Sequence, residues 1–338
     1  MTNRHMQREN KNIDAFDAAK FAMSIMVVGV HTLGKYGIYP LFRIAVPMFF
    51  IISSYLFFEN LADEGGLRRL KKFCMRSIKL YLFWFIALAP VFLYFGEYFA
   101  GNIGLNIIKL GARIVFGSSF ASSWYISALV IGICIIFFLK KARVNDGIIL
   151  VLTFFIYAVC CFNSNYRNCF SEESIVTYIN KVYPGTIYNG FPVGLFWIAL
   201  GCRLSTVKRN YSRTEKWIGA TLSYALLLAE HFIVNYYGLT VDNDCYFMLI
   251  PVCYFLFLIL ADCKQKIKGA KTMRKLSTVI YCVHGSLATL VSYYGIFGND
   301  LWGNVAEFFV VIGVSMLMAI LIFVLEKSRM FSWLRLAY

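Results

Sequence analysis

Lys20 and His31 are the residues of this 338-residue chain whose types and spacing point most directly to chemistry. Both lie in the first long apolar run. At about 100° per residue, eleven residues make roughly three turns with about 20° left over, so the two side chains stack on one helix face roughly 16 Å apart. Asp17, Ser24 and Val27 fall on the same face, while Phe21, Met23, Ile25, Met26, Val28 and Val30 fill the remainder. An ionisable group at mid-membrane costs about 2.5–3.5 kcal/mol even on the lenient insertion scale. The stripe must therefore face protein, and it needs either mutual compensation or a task. An imidazole with a near-neutral pKa can serve as a general base toward a hydroxyl, or as a nucleophile.

The elements that carry this stripe follow from composition. With 59% hydrophobic, 18% aromatic and 15% charged residues, the chain is more apolar than soluble domains, which are about 45–50% apolar. It reads as an all-α, polytopic membrane helical bundle. A crossing takes about 20 residues, and ten runs reach or approach that length: 16–33, 42–58, 79–96, 124–139, 147–162, 190–206, 217–236, 245–261, 277–296 and 302–325. The runs at 147–162 and 190–206 are the short ones. Their alternation with polar loops predicts a cytoplasmic N-terminal segment at 1–15, a single transmembrane domain at 16–325 and a cytoplasmic basic tail at 326–338.

Charge supports that count. Of the 33 basic residues, Lys20 lies within a run and Lys35, Arg43, Lys109, Arg113, Arg167 and Lys181 fall on one side. All the others fall on the side of the N-terminus. The positive-inside rule then places both termini in the cytoplasm. The net charge of +15 is parcelled into short loops, so it is no nucleic-acid footprint. The first run follows Asp14 and Asp17, has no small-residue cleavage pattern after it, and is expected to stay in the membrane. The ten cysteines lack metal-ligand spacing, so no metal site is expected; Cys160, Cys161, Cys169 and Cys245 lie near the outer face, where a bridge is open to them. Residues 66–78 read as an amphipathic helix at the inner interface, and 102–117 as an outer amphipathic or re-entrant piece or else an eleventh span. Residues 163–189 form the longest outer loop, in position to lid an opening.

These segments also resemble a known family. IDAFDAAKFAMSIMVVGVHT at 13–32, followed by FRIAVPMFFIISSYLFF at 42–58, is similar to the opening of the acyltransferase-3 family of multi-spanning membrane acyltransferases. SSWYISAL at 122–129, NGFPVGLFWIALGCRL at 189–204, LSTVIYCVHGSL at 276–287 and Glu326 match later pieces in order. The AVPMFF version most resembles a branch that includes the membrane domain of vancomycin-resistance serine racemases. Two departures stand out: Lys20 where many relatives carry Arg, and Ser53–Ser54 where Ser-Gly is usual.

The resemblance implies an O-acyltransferase of the bacterial cell membrane. It would take an acyl group, acetyl first among candidates, from cytoplasmic acyl-CoA to a hydroxyl of a surface glycan or lipid-linked precursor. Acyl-CoA would be a co-substrate, with no bound cofactor. His31 would be catalytic, Lys20 would hold a donor phosphate or the thioester carbonyl, and Arg43 would stabilise an oxyanion or bind an anionic acceptor. Asp17, Trp124, Tyr125, Glu230, Tyr281 and His284 would line the substrate path. Only a short stretch follows the tenth run, so delivery is expected at the membrane surface or through a partner.

Each residue also has a plainer reading. His31 alone would be an interfacial histidine, Lys20 a snorkelling side chain, Arg43 a head-group contact and Pro47 a kink. His284 would be a packed, hydrogen-bonded core histidine with Tyr281 as its partner. Glu230 would line the cavity or pair with Lys20 or Arg43, Asp242 and Asp244 would form a solvated turn, and Trp124 and Tyr125 an aromatic belt. The rival function is transport of a small polar solute such as serine. Against it, the sequence shows no inverted repeat and no paired Gly/Pro-broken spans.

Overall fold

The computed structural model describes residues 2–34, 38–59, 61, 65–96, 102–207 and 210–338, with side chains from residue 13 onward. Lys35, Lys208 and Arg209, and the side chains of Arg4, Arg8 and Lys11, lie outside the described residues. Among the described residues every regular element is a helix.

Helix α1 (Thr2–Thr32) begins well before position 16 and carries the Asp17–His31 stripe. The second run divides into α2 (Tyr39–Arg43) and α3 (Ala45–Glu59). Helix α4 (Gly66–Ala87) is continuous, which corrects the expected division between an interface helix at 66–78 and a span from 79. No turn residue interrupts it until Leu88, where Pro90 lacks the N–H that would continue the ladder. The chain there bends by 66° into α5 (Ala89–Phe95). Helix α6 (Ile103–Phe116), capped by Asn102, has 14 residues and buries none of them. That length falls short of an eleventh span.

Helices α7 (Trp124–Lys141) and α8 (Asp146–Asn163) follow, and the long loop then contains α9 (Ile175–Val182). The remaining helices are α10 (Phe191–Thr206), α11 (Arg213–Tyr236), α12 (Leu249–Ala261), α13 (Ala270–Tyr293) and α14 (Leu301–Leu325). A capping box of Ser212 and Glu215 starts α11, and Asp300 caps α14. The tail is a 3₁₀ helix, Arg329–Ala337, folded back on α4, where Trp84 Nε1 donates to Ala337 O at 3.0 Å.

Among the described residues six helical segments, α2 and α3 counting together as one, are long and apolar enough to cross a membrane, and a seventh crosses if the bent α4–α5 pair counts as one. Helices α10 and α12 have 16 and 13 residues, and α1 is not among the six because its polar stripe dilutes its apolarity. The expected ten spans thus exceed what length and apolarity alone establish. All ten cysteines are free in the structure, Cys160, Cys161, Cys169 and Cys245 included.

Side-chain contacts give the helices their relative directions. Asp17 meets Arg274, Ser277 bonds the Lys20 carbonyl, and His31 faces His284, so α1 and α13 run parallel. Helix α10 lies parallel to α3, with Gly194 against Phe50 and Gly201 against Ser54. Helices α11 and α12 are antiparallel, Gly219 meeting Phe255 and Glu230 meeting Phe247. Small residues allow close helix approach where lipid supplies no hydrophobic drive. A Cβ on Gly201 would sit 2.0 Å from Ser54 Oγ and 2.5 Å from the Ile51 carbonyl oxygen. Gly201→Leu is therefore expected to lose about 1–3 kcal/mol or more by overpacking. Thermal unfolding in detergent should show it, with Gly313→Leu, which meets open space, unchanged.

Candidate active site

The C-terminal half of α1 opens into a cavity of about 380 Å³ whose lining includes His31, Arg43, Ser122, Trp124, Tyr188, Trp197, Asp242, Asp244 and Tyr281. Helix α1 supplies His31, α2 supplies Arg43, the turn before α7 supplies Ser122, and the loop before α12 supplies the two aspartates. His31 keeps exposed surface despite its depth in the bundle, because it faces this space. Burial pushes the Tyr188 phenol up to about 12.

His31 Nε2 lies 3.4 Å from Ser122 Oγ, and His284 Nε2 lies 3.2 Å from the same oxygen. The two rings are 5.2 Å apart. His284 is fully enclosed, and its Nδ1 reaches the carbonyls of Tyr281 and Ile280 at 2.7 and 3.1 Å. The Tyr281 hydroxyl donates instead to the Ser122 carbonyl at 2.8 Å. The pairing expected between His284 and Tyr281 is thus made through the tyrosine's backbone, since its phenol spans to the turn.

Ser122 has φ +66°, a left-handed backbone that non-glycine residues adopt reluctantly. The turn is held around it. Ser123 Oγ accepts from the Ser119 and Phe120 amides, and Ser119 pairs with Tyr81. Gly285 leaves room for it, because a Cβ there would meet Ala121 Cβ and Ser122 Oγ at 2.8 Å.

Arg43 is already engaged. Its guanidinium pairs with Asp244, lies 4.0 Å from Asp242, donates from Nε to Asn243 O at 3.0 Å, and sits over the Tyr39 ring at 4.7 Å. This corrects the solvated turn expected for Asp242 and Asp244, which are instead drawn to the cation on the cavity wall. Burial raises the Asp242 carboxyl above the usual carboxylate range against the opposing pull of Arg43. The result is a cation flanked by two carboxylates in the same cavity as an accessible imidazole.

Lys20 does not line this cavity. Its Nζ donates to Ser53 Oγ at 3.1 Å, Ser53 meets the Tyr125 hydroxyl at 3.2 Å, and the Tyr125 ring packs on Tyr281 at 5.3 Å. Hydroxyls thus carry the contacts of Lys20 as far as Tyr125, and from there only ring packing reaches the cavity wall. Ser53, one of the departures from the family pattern, is the first link. Asp17 lies 3.6 Å from Arg274 and is likewise away from the cavity. Trp124 lines the cavity, whereas Tyr125 is buried behind it.

Glu230 neither lines this cavity nor pairs with Lys20 or Arg43. It accepts from the Phe247 and Met248 amides, both at 2.8 Å, and from the Tyr166 hydroxyl at 2.6 Å. Those amides are orphan donors at the start of α12, so the carboxylate acts as a long-range helix cap. On the opposite end of the bundle, a groove of about 590 Å³ between α4 and the tail is lined by Arg68, Lys71, Lys72, Arg76, Lys79 and Arg335.

A family model described as an acyltransferase domain, Acyl_transf_3, matches residues 13–324. The chain belongs to the acyltransferase-3 family. The match starts upstream of the α1 stripe and ends within α14, so this family member carries the whole cavity inside the matched region. By family and by its apolar helices it is a helical, multi-pass membrane protein. Among curated relatives, an amino-acid racemase of Enterococcus faecalis is 23% identical over 343 positions, covering 96% of this chain and 47% of that protein. A second amino-acid racemase of that species is 23% identical over 270 positions, 76% and 37% of the two chains. A serine/alanine racemase of Enterococcus gallinarum is 24% identical over 267 positions, 74% and 37%. The chain spans less than half the length of each. No solved structure matches.

Ser122, Tyr188, Trp197 and Asp244 were not singled out as site residues by sequence reasoning. The SSFASSW stretch at 118–124 offered the one local signal for Ser122, a small-residue turn before a helix.

Proposed function

We propose that this acyltransferase moves an acyl group, acetyl first among candidates, from cytoplasmic acyl-CoA to a hydroxyl of a surface glycan or lipid-linked acceptor at the bacterial cell membrane. The observation that carries the reading is His31, an imidazole with exposed surface in a 380 Å³ cavity, beside a hydroxyl and a second imidazole. His31 acts as general base on the acceptor hydroxyl, or takes the acyl group before passing it on. Arg43, held by Asp244, keeps a guanidinium on the cavity wall for an anionic part of the acceptor. The basic groove at the other end, lined by six basic side chains, suits the phosphates of the donor better than Lys20, which lines neither space.

Ten crossings with cytoplasmic termini fit the directions of the helices. First and ninth runs are parallel, as are second and sixth, while seventh and eighth are antiparallel. The groove's cations then face the cytoplasm, in keeping with the positive-inside rule. Mass spectrometry of surface glycans and lipid-linked precursors from cells with and without the gene tests the reading. An acyl mass increment present only with the gene supports it, and identical spectra overturn it.

A second reading keeps one specific observation in its favour. Arg43 with Asp242 and Asp244 in one cavity presents both charges that a zwitterionic amino acid needs. Uptake of labelled serine into proteoliposomes without thioester consumption would favour that reading over acyl transfer.

A further inference from the structure

The geometry points to Ser122 and His284 as positioning residues that fix which nitrogen of His31 is bare. His284 Nδ1 faces two carbonyl oxygens, Tyr281 O at 2.7 Å and Ile280 O at 3.1 Å, which only accept. Nδ1 therefore carries the proton. The ring has no exposed surface, and the ion pairs of the described residues do not include it, so it is the neutral imidazole and its Nε2 is a lone pair.

A lone pair 3.2 Å from Ser122 Oγ accepts that hydroxyl's single proton. The hydroxyl is then spent as a donor. What it presents to His31 Nε2, at 3.4 Å, is an oxygen lone pair, so His31 Nε2 must donate. His31 is thereby held with hydrogen on Nε2 and with Nδ1 bare. Without the relay, the two tautomers of an imidazole lie close in energy and both are populated. The Ser122 backbone at φ +66°, the Gly285 gap beside it and the Tyr281 hydroxyl on its carbonyl all serve to aim one oxygen between two rings.

The inference rests on the acyl-transfer reading only for its consequence, that Nδ1 is the atom of His31 that accepts a proton or an acyl group. The lock itself is a property of the resting protein. The chain holds four histidines, so ¹⁵N-histidine labelling of the full-length protein in nanodiscs gives few resonances, and His31→Gln assigns the one in question. The expected spectrum has His31 Nδ1 in the unprotonated range and Nε2 in the protonated range. Ser122→Gly removes the hydroxyl while relaxing the left-handed backbone. It should keep or raise the thermal midpoint yet shift both His31 nitrogens toward averaged values, the mark of two tautomers. Ser122→Ala should give the same averaging with a lower midpoint.

A native spectrum with the proton on Nδ1 overturns the assignment. So does a Ser122→Gly protein that folds and keeps the native His31 shifts. Because both readouts are taken without substrate, they stand or fall separately from acyl transfer.

Discussion

His31→Gln is expected to lower acyl decoration of the cell surface by about 10²–10⁴-fold, the range that a positioned general base contributes. Glutamine keeps polarity and approximate size, so the bundle is retained and the amount of protein in the membrane stays at the wild-type level. The loss then belongs to chemistry and not to folding, because His31 contacts Ser122 and the cavity but supports no helix end or ion pair. Quantifying the acyl increment by mass spectrometry, alongside an immunoblot of the membrane fraction, checks both halves. An unchanged increment in a well-expressed variant would remove His31 from the reaction.

The second large effect concerns stability. Arg43 and Asp244 have side chains 15% and 7% exposed, and they join α2 to the loop before α12 across some two hundred residues of sequence. Removing one partner of a buried pair leaves an uncompensated charge, which typically costs about 3–5 kcal/mol. Asp244→Ala strands the guanidinium with only Asp242 nearby, and Arg43→Ala strands Asp244. Replacing both, Arg43→Met with Asp244→Leu, should recover most of the loss. Thermal midpoints of the three variants in detergent measure this. Equal midpoints for the two single variants and the wild type would contradict the buried pairing.

These residues also mark what was legible in the sequence. The α1 face was readable because helical periodicity acts within one run: the 17, 20, 24, 27, 31 spacing does turn inward, and Asp17, Lys20 and His31 each find protein partners. Every one of the ten apolar runs falls on helix, since apolarity and length are local. Neighbours are not local. Periodicity says which face of α13 is buried, yet it does not say that His284 will face His31 across the interface with α1. The same limit explains Glu230: an expensive carboxylate at depth was read as functional, and its amide partners at 247 and 248 became visible only once α11 packed beside α12.

Ser122 was hidden for a different reason. Its importance lies in a left-handed backbone angle, and serine in a small-residue stretch gives no sign of it. Lys20 shows a third case. Its inward direction was correct, but its partner is the hydroxyl of Ser53, a position noted only as a departure from the family's pattern. Composition divides the continuous helix α4 into a charged first half and an apolar second half, while nothing in between breaks a helix.

Transfer of acyl groups from a thioester in the cavity around His31 can be measured directly. Purified protein in lipid nanodiscs, given acetyl-CoA and membrane-extracted glycan or lipid-linked acceptors, should release free coenzyme A, with succinyl-CoA run in parallel as an alternative donor. Release should depend on acceptor and disappear in His31→Gln, as transfer through this cavity requires. Release that is equal in the wild type and His31→Gln, or no thioester consumption while labelled serine crosses the bilayer, would contradict it.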